Sequence, residues 1–281
     1  MTVLVTGGAG YIGSHVARLL AQRGEAVVIA DDLSTGIPSR LEGTAHATLD
    51  LAAVDAVQSI RAIIRAHDVT SVIHLAARKK VGESVELPEW YYSQNIGGMA
   101  NLLEAMKAEG VKRLVFSSSA ATYGMPDVDF VAEDFNCKPI NPYGETKLIG
   151  EWLGRAAGKA WGLRAVNLRY FNVAGADPKG RTGQSTAGAT HLIKLACETA
   201  LGKRPEFSIL GTDYDTPDGT CVRDFIHVSD LVNAHYVALN FLRQGGLKFT
   251  ANCGYSKGYS VREVVDAVKA ASGRNFKVLE K

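Results

Sequence analysis

Short apolar runs alternate with amphipathic stretches through the first half of the chain. The runs are bounded by glycine or polar residues and are typical of buried parallel strands; they cover residues 3–5, 27–30, 72–75 and 114–116. The stretches between them predict helices at residues 12–23, 53–67 and 89–109. Strands that alternate with helices in this way predict βαβ units, and therefore an α/β fold on a doubly wound parallel sheet.

The second half of the chain has a looser rhythm. A helix at residues 143–161 and a strand at residues 165–168 continue the first pattern, and a loop rich in Gly, Asp and Thr covers residues 211–220. The remaining pattern predicts strands at residues 222–227, 249–253 and 276–279, and helices at residues 189–201, 229–242 and 261–272. We therefore expect a first domain of residues 1–180 and a smaller α/β lobe of residues 181–281, from which a strand and a helix can return to the first domain.

Composition narrows the function classes. Of 281 residues, 46% are hydrophobic and 21% are charged, as in ordinary globular enzymes, and a net charge of +2 without basic runs argues against a nucleic-acid or anionic-membrane surface. The four cysteines are scattered and the seven histidines form no ligand-spaced cluster, so we expect reduced thiols and no metal. No apolar span is long enough for a membrane helix, and the first strand leaves no room for a signal peptide, so we expect a cytoplasmic protein.

A glycine-rich turn lies between the first predicted strand and the first predicted helix. Its glycines are Gly7, Gly8, Gly10 and Gly13. Side chains at such positions would keep phosphates away from the backbone, and the N-terminus of the following helix offers free N–H groups and a partial positive charge. The strand–turn–helix context favours a dinucleotide site on a Rossmann-type sheet over a purely structural turn.

Acidic residues end the second predicted strand. Asp31 follows Gly13 by 18 residues, where a carboxylate accepts hydrogen bonds from the ribose of NAD and repels the 2′-phosphate of NADP. Asp32 adds a second negative charge, so we expect NAD to be preferred. Further along the chain, Asp50 and Leu51 could contact the adenine, although Asp50 could equally be the N-cap of the helix that follows.

A Tyr-x-x-x-Lys pair marks the fourth predicted helix. Tyr143 and Lys147 are one turn apart on one face, and the lysine charge, together with an oxidised nicotinamide, should lower the pKa of the phenol. Ser117 and Ser119 end a strand at the sheet edge where ligands of such folds bind. A surface pair is the alternative for Tyr143 and Lys147, but the glycine turn and the acidic strand end favour catalysis.

Together these motifs resemble the extended branch of the short-chain dehydrogenase/reductase superfamily, and more narrowly the family of UDP-glucose 4-epimerases. The resemblance runs from Thr2 to about Ala271. Beyond the general motifs it includes Asp31-Asp32-Leu33-Ser34-Thr35-Gly36, Val81-Gly82-Glu83-Ser84, Ser117-Ser118-Ser119-Ala120-Ala121-Thr122-Tyr123-Gly124, Asn141-Pro142-Tyr143-Gly144, Leu168-Arg169-Tyr170-Phe171-Asn172 and Val222-Arg223-Asp224-Phe225-Ile226-His227.

The resemblance implies a role for each matching residue, with NAD on residues 1–180 and the nucleotide sugar on residues 181–281. Tyr143 would be the catalytic base, assisted by Ser119 and Lys147. The implied cofactor-binding residues are Gly7, Gly10, Tyr11, Ile12, Gly13, Asp31, Asp32, Leu33, Ser34, Gly36, Asp50, Leu51, Leu75, Ala76, Ala77, Lys79, Asn95, Ser117, Tyr143, Lys147 and Tyr170. The implied substrate-binding residues are Ser119, Tyr143, Phe171, Asn172, His191, Leu192 and Arg223.

Two of these assignments have a simpler alternative. Lys79 lies between Arg78 and Lys80 and could belong to a solvated basic loop. Arg223 and Asp224 could form a structural ion pair.

The implied reaction is reversible epimerisation at C4 of a UDP-hexose, through a 4-keto sugar and a cofactor that stays bound. A 4-epimerase of UDP-GlcNAc or a UDP-pentose is an open alternative, and an inactive NAD-binding protein is another. A dehydratase is disfavoured because Ala120 and Ala121 stand where those relatives carry a proton-transferring acid.

The resemblance also implies a homodimer formed through the helices at residues 89–109 and 143–161. Family members continue beyond the position of Lys281, in a stretch that contributes to substrate binding. If no other element replaces that stretch, we expect weak UDP-sugar affinity with near-normal NAD binding.

Overall fold

A computed structural model describes residues 1–186, 188 and 190–281. Seven parallel strands form its central sheet, in the order β3-β2-β1-β4-β5-β6-β10. Their ranges are β1 Thr2–Thr6, β2 Ala26–Asp31, β3 Ala45–Thr48, β4 Val69–His74, β5 Arg113–Ser119, β6 Arg164–Tyr170 and β10 Phe249–Cys253. The predicted doubly wound α/β sheet is confirmed.

Helices cover both faces of this sheet because its central strands are apolar on both sides. One face packs on α1 (Tyr11–Gln22) and α8 (Val228–Arg243), whose buried side chains join those of β1. The opposite face packs on α2 (Ala56–Ala66), α5 (Gly98–Ala108) and α6 (Pro142–Trp161). Since both α8 and β10 come from the second half of the chain, that half returns to the central sheet.

The rest of the second half forms a smaller unit with its own core. Here β7 (Asn172–Ala174), β9 (Val222–His227) and β11 (Gly258–Ser260) form one sheet, while β8 (Phe207–Ile209) pairs with β12 (Val278–Glu280). Helices α7 (Leu192–Ala200) and α9 (Val261–Ser272) pack together through Ala196 and Val265. A capping box at Ser260 and Glu263 begins α9.

Several boundaries differ from the prediction. The helix expected at residues 89–109 consists of α4 (Pro88–Tyr91), a π-helix (Tyr92–Gly97) and α5, because one extra residue per turn is inserted there. The helix expected from residue 189 begins at Leu192, and residue 189 itself lies outside the described residues. The six-residue helix α3 (Val81–Glu86) has no sequence prediction, being too short for a periodic signal.

None of the helices described is both long and apolar enough to cross a lipid bilayer.

Candidate active site

The strand order of the central sheet reverses between β1 and β4. The loops that leave the carboxyl ends of these two strands diverge there, which opens a crevice of the kind in which α/β sheets bind ligands. The crevice continues along the carboxyl ends of the strands to α6, where Tyr143 and Lys147 lie. One continuous cleft therefore joins the glycine turn to the predicted catalytic residues.

The glycine turn forms a cradle that no side chain could enter. Gly7 has a φ of +73°, and a Cβ atom there would lie 2.7 Å from the backbone nitrogen of Ala76. A Cβ atom on Gly13 would lie 2.1 Å from the carbonyl oxygen of Gly7. Because both positions require glycine, the backbone of the turn and the N-terminus of α1 stay open to phosphate groups.

Asp31 is tied into the backbone at one end of the cleft. Its Oδ2 accepts a hydrogen bond from the Ala9 N–H at 2.9 Å, and its Oδ1 accepts one from the Leu33 N–H at 2.9 Å. Burial raises the pKa of this carboxyl, although the two backbone N–H groups oppose the rise. The carboxylate thus both shapes the turn and faces the cleft.

Asp32 is not the free second charge that the sequence predicts. Its Oδ2 pairs with Arg78 Nη2 at 2.6 Å, and its Oδ1 accepts hydrogen bonds from the Ser34 N–H and hydroxyl. Burial opposes ionisation, but the Ser34 hydrogen bonds and the Arg78 charge keep the pKa of Asp32 below its usual value. The positive charge of Arg78 therefore offsets the carboxylate.

Asp50 lies on the loop that follows β3 and is not a helix cap. Helix α2 begins at Ala56 with Asp55 at its N-cap position, so the alternative that Asp50 caps this helix is wrong. Instead Asp50 Oδ1 accepts from the Ala52 N–H at 2.8 Å, and its Oδ2 accepts from Gln94 Nε2 at 3.3 Å. Both Asp50 and Gln94 line the cleft.

Asn95 is placed by the π-helix and braces the loop after β4. Its Oδ1 accepts from the Arg78 N–H at 2.8 Å, and its Nδ2 donates to the Arg78 carbonyl and to Thr146 Oγ1, both at 3.0 Å. The side chain therefore connects the β4 loop to helix α6. Lys79, the next residue along this loop, is exposed and lines the cleft.

Helix α6 carries the predicted catalytic pair in its first two turns. Asn141 caps the helix by accepting a hydrogen bond from the Gly144 N–H at 2.9 Å, and Pro142 occupies the first helical position. This start places Tyr143 in the lining of the cleft. Ser119, at the end of β5, favours ionisation of the phenol, and its Oγ accepts a hydrogen bond from the Ala121 N–H at 3.1 Å.

The charges around Tyr143 supply only part of the predicted arrangement, which also includes an oxidised nicotinamide. Burial raises the pKa of Tyr143, and the Ser119 side chain only partly offsets the rise. Lys147 Nζ lies 5.9 Å from the centre of the Tyr143 ring and donates to the Ser117 carbonyl at 2.7 Å. Burial and the nearby charge of Lys79 lower the pKa of Lys147 to about 7, so this lysine alone does not make the phenol a base.

A buried ion pair behind the catalytic helix has no counterpart in the sequence prediction. Glu151 and Arg169 are 7% and 5% exposed, and the Arg169 guanidinium donates to both carboxylate oxygens of Glu151 at 2.9 and 2.7 Å. The Glu151 carboxylate also accepts a hydrogen bond from Ser118 on β5. The sequence contains a signal for Glu151, because this residue continues the four-residue spacing of Tyr143 and Lys147 along one face of α6.

A second buried contact lies behind Tyr170 at the end of β6. His235 on α8 is fully buried, and its Nδ1 donates to the Leu231 carbonyl at 2.8 Å. Its Nε2 is therefore the acceptor for the Tyr170 hydroxyl. This contact fixes a residue that lines the cleft, and a lone histidine on a helix gave no sequence signal for it.

The predicted substrate residues lie in two places. Asn172 and Arg223 occupy neighbouring strands, since β7 pairs with β9 and Asn172 Nδ2 donates to the Asp224 carbonyl at 3.2 Å. His191 and Leu192 lie at the start of α7 in the smaller unit, where Leu192 packs against the local core. Phe171 connects Tyr170 to Asn172, and its N–H donates to the Cys253 carbonyl at 3.2 Å.

Arg223 and Asp224 do not form the ion pair that was one alternative. Arg223 is exposed and its Nη1 donates to the Val222 carbonyl at 3.0 Å. The Asp224 carboxylate instead accepts hydrogen bonds from the N–H groups of Tyr255 and Ser256. The Arg223 guanidinium is thus available to an anionic ligand.

The cleft brings together most of the predicted cofactor residues. Leu33 and Gly36 do not line it: the Leu33 side chain packs on the hydrophobic core, and Gly36 lies against the Asp31 carboxylate. Four lining residues were not predicted, namely Thr35, Leu49, Arg78 and Gln94. Within the ranges that the structure describes, no group of three or more His, Cys, Asp or Glu residues could hold a metal ion.

Comparison with known proteins agrees with this geometry. The model of the NAD dependent epimerase/dehydratase family matches residues 3–254. A UDP-glucose 4-epimerase from Azospirillum brasilense is 52% identical over 271 residues, which make up 96% of this chain and 77% of that protein.

Solved structures show the same similarity. The UDP-glucose 4-epimerase from Brucella ovis in complex with NAD has a TM-score of 0.96 at 42% identity, covering 100% of this chain and 85% of that one. The enzyme from Bifidobacterium longum in complex with NAD+ and UDP has a TM-score of 0.93 at 35% identity, covering 100% of this chain and 86% of that one. The predicted resemblance is confirmed, and the chain belongs to the NAD dependent epimerase/dehydratase family.

Proposed function

We propose that this chain interconverts UDP-glucose and UDP-galactose by reversible epimerisation at C4, with NAD kept bound as the cofactor. The observation that carries the proposal is the placement of Tyr143 and Lys147 at one end of the cleft that begins at the glycine cradle, with Ser119 at the end of strand β5. The sequence and structural similarity to UDP-glucose 4-epimerases supports the choice of substrate.

The cleft fits a dinucleotide along its whole length. The cradle at Gly7 and Gly13 would hold the pyrophosphate, with Lys79 beside it as a counter-charge. Asp31 would accept hydrogen bonds from the adenosine ribose, and Lys147 would hold the nicotinamide ribose. The other residues that we assign to the cofactor are Gly10, Tyr11, Ile12, Asp32, Ser34, Asp50, Leu51, Leu75, Ala76, Ala77, Asn95, Ser117, Tyr143 and Tyr170.

Tyr143 exchanges the proton of the substrate 4-hydroxyl. Oxidised NAD in this cleft would supply the hydride acceptor for C4 and a positive charge that favours the phenolate. Because burial holds the pKa of Tyr143 high, the phenol needs this added positive charge to act as a base. Ser119, which favours the ionised form of Tyr143, would hold the sugar O4 beside the phenol.

Epimerisation requires the 4-keto sugar to present its other face before the hydride returns. Asn172 and Arg223 would hold the diphosphate while the sugar turns, and Phe171, His191 and Leu192 would contact the remainder of the nucleotide. Tyr143 then returns the proton to O4 while the hydride returns to C4, so no net oxidation occurs. Ala120 and Ala121 follow Ser119 in the turn after β5 and cannot transfer protons, which argues against a dehydratase.

An assay of UDP-galactose with the purified chain and NAD tests the proposal. We expect conversion to UDP-glucose, and we expect Tyr143→Phe to slow it about 10³-fold while the variant still binds NAD. UDP-GlcNAc and UDP-pentoses in the same assay measure sugar preference. No conversion by the wild type, or equal conversion by Tyr143→Phe, would refute the proposal.

We further propose that residues 1–180 bind mainly the cofactor and residues 181–281 mainly the nucleotide sugar. A homodimer through α4–α5 and α6 is supported by the exposure of Trp152 on the outer side of α6. A cytoplasmic location is supported by four cysteines that are all free thiols.

A further inference from the structure

Arg78 spans the adenosine end of the cleft. Its guanidinium pairs with Asp32 at 2.6 Å, donates to Ser34 Oγ, and donates twice to Gln94 Oε1 at 3.2 and 2.9 Å. The guanidinium carbon also lies 4.8 Å from the centre of the Trp90 ring. Five separate contacts therefore hold this cation in place, and three of its four partners line the cleft with it.

The two aspartates at the end of β2 are consequently not equivalent. Asp31 is fixed by two backbone N–H groups and, among the residues that the structure describes, has no cationic partner within hydrogen-bond distance. Asp32 is neutralised by Arg78. The repulsion that excludes a 2′-phosphate therefore comes mainly from Asp31, while a guanidinium already stands beside the neighbouring carboxylate.

We propose that Arg78 is a cofactor-selecting residue: Asp32 occupies its guanidinium, and without the Asp32 carboxylate that guanidinium would accept the 2′-phosphate of NADP. This inference rests on the proposed NAD site. A phosphate and a carboxylate compete for the same planar pair of N–H donors on arginine. The Asp32 carboxylate thus competes with the 2′-phosphate, the group that distinguishes NADP from NAD, for the N–H donors of Arg78.

The remaining contacts keep Arg78 in position after Asp32 is changed. In Asp32→Asn the bonds to Ser34 and Gln94 and the stacking on Trp90 are retained, so the cation needs no reordering to meet a phosphate. We expect the NADP affinity to rise at least about tenfold, since a charge-assisted hydrogen bond replaces the internal pair. The NAD affinity should change much less.

Titration calorimetry of nucleotide-stripped protein with NAD and with NADP tests this. The variants are Asp32→Asn, the double variant Asp32→Asn/Arg78→Met, and Asp55→Asn as a charge-matched control on the exposed N-cap of α2. The NADP gain should appear in Asp32→Asn and disappear in the double variant, whose methionine preserves the packing on Trp90. Asp55→Asn should show no gain.

Two results would overturn the inference. One is an unchanged NADP affinity in Asp32→Asn, and in Asp32→Ser should the asparagine variant not fold, while NAD still binds. The other is a gain that persists in the double variant, because removal of a negative charge would then be sufficient. Failure of the wild type to bind NAD would instead refute the proposed function, so the two failures are distinguishable.

Discussion

The proposed cofactor site and the proposed substrate site are built in different ways. At the cofactor end, Gly7 and Gly13 bring backbone atoms close together, and Asp31 is held by two backbone N–H groups. At the substrate end, Arg223 is exposed and, among the residues that the structure describes, donates only to the carbonyl of the preceding residue, while His191 accepts a bond from Gln184. Fixed contacts therefore dominate one end, and exposed side chains dominate the other.

This contrast has an energetic consequence. A site made of backbone and braced side chains loses little conformational freedom when a ligand binds, whereas exposed arginine and histidine side chains must be ordered. We therefore expect NAD to bind much more tightly than the nucleotide sugar. Such a difference suits a reaction in which the cofactor is regenerated within each turnover and only the sugar leaves.

The largest effect is expected where the two ends meet, at Tyr143. Tyr143→Phe removes the proton acceptor, and we expect kcat to fall about 10³-fold, within the range of general base catalysis. NAD binding should persist, since the variant keeps the ring. The measurement is the steady-state rate together with the ratio of bound nucleotide to protein. A loss of nucleotide equal to the loss of rate would mean that Tyr143 is structural.

At the cofactor end, Gly13→Val should weaken NAD binding at least about 100-fold, because a side chain there meets the Gly7 carbonyl oxygen and displaces the turn from the phosphates. Gly97→Ala is the control, since a Cβ atom at Gly97 meets nothing within 4 Å. Nucleotide content after purification measures both variants. Equal NAD content in the two would contradict the preformed cradle.

Between the two ends, the Glu151–Arg169 pair should position the catalytic helix. Glu151→Gln leaves a buried arginine without its counter-charge, and we expect a loss of about 3 kcal/mol in the free energy of unfolding. We also expect kcat to fall more than KM rises, because α6 carries Tyr143. Urea unfolding and steady-state kinetics measure the two effects.

Two comparisons distinguish the positioning of α6 by this ion pair from a general loss of stability. Glu104→Gln on the exposed side of α5 removes the same charge and should change neither quantity. The double variant Glu151→Met/Arg169→Met should regain stability, since it leaves no unpaired buried charge. Recovery of kcat as well would show that stability alone limited the Glu151→Gln variant.

At the substrate end, Arg223→Ala should raise KM for UDP-glucose about tenfold, which corresponds to the loss of one charge-assisted contact to the diphosphate. NAD content should be unchanged. Arg65→Ala, an exposed arginine on α2, serves as the control. An unchanged KM would remove Arg223 from the site.

The smallest effect concerns the pH dependence of stability. Burial, with the charge of Lys79, lowers the pKa of Lys147 to about 7, while an unfolded lysine titrates near ~10.4. Between these values the unfolded chain binds more protons, so the stability of nucleotide-free protein should rise with pH from about 7 upward. Lys147→Met should lack this rise. Parallel curves for the two proteins from pH 7 to pH 9 would contradict the low pKa.

Sequence patterns predict the parts of the molecule that depend on local chemistry. The glycine turn, the acidic end of β2 and the Tyr143–Lys147 spacing each place a required residue type at a fixed distance along the chain, and the structure brings them into one cleft. The contacts that hold these residues come from distant segments. His235 meets Tyr170 from 65 residues away, and Arg78 meets Asp32 from 46 residues away.

Sequence reasoning therefore missed how the surroundings of these residues change their charges. A second aspartate after Asp31 predicts a stronger negative field, but Arg78 from another strand loop offsets it. Lys147, together with an oxidised nicotinamide, predicts a lowered phenol pKa; in this structure burial raises the pKa of the phenol and lowers that of the lysine, so the lysine alone does not supply the effect. Neither contribution could be predicted because burial and ion pairing depend on tertiary packing, which spacing along the chain does not encode.

The central claim is that Tyr143 and a retained cofactor interconvert the sugar without net oxidation. UDP-galactose labelled with deuterium at C4 tests it most directly, with the product examined by mass spectrometry and NMR. The account predicts UDP-glucose that keeps its deuterium at C4, with no hydrogen taken from solvent. No conversion, or a product whose C4 hydrogen comes from solvent, would contradict it.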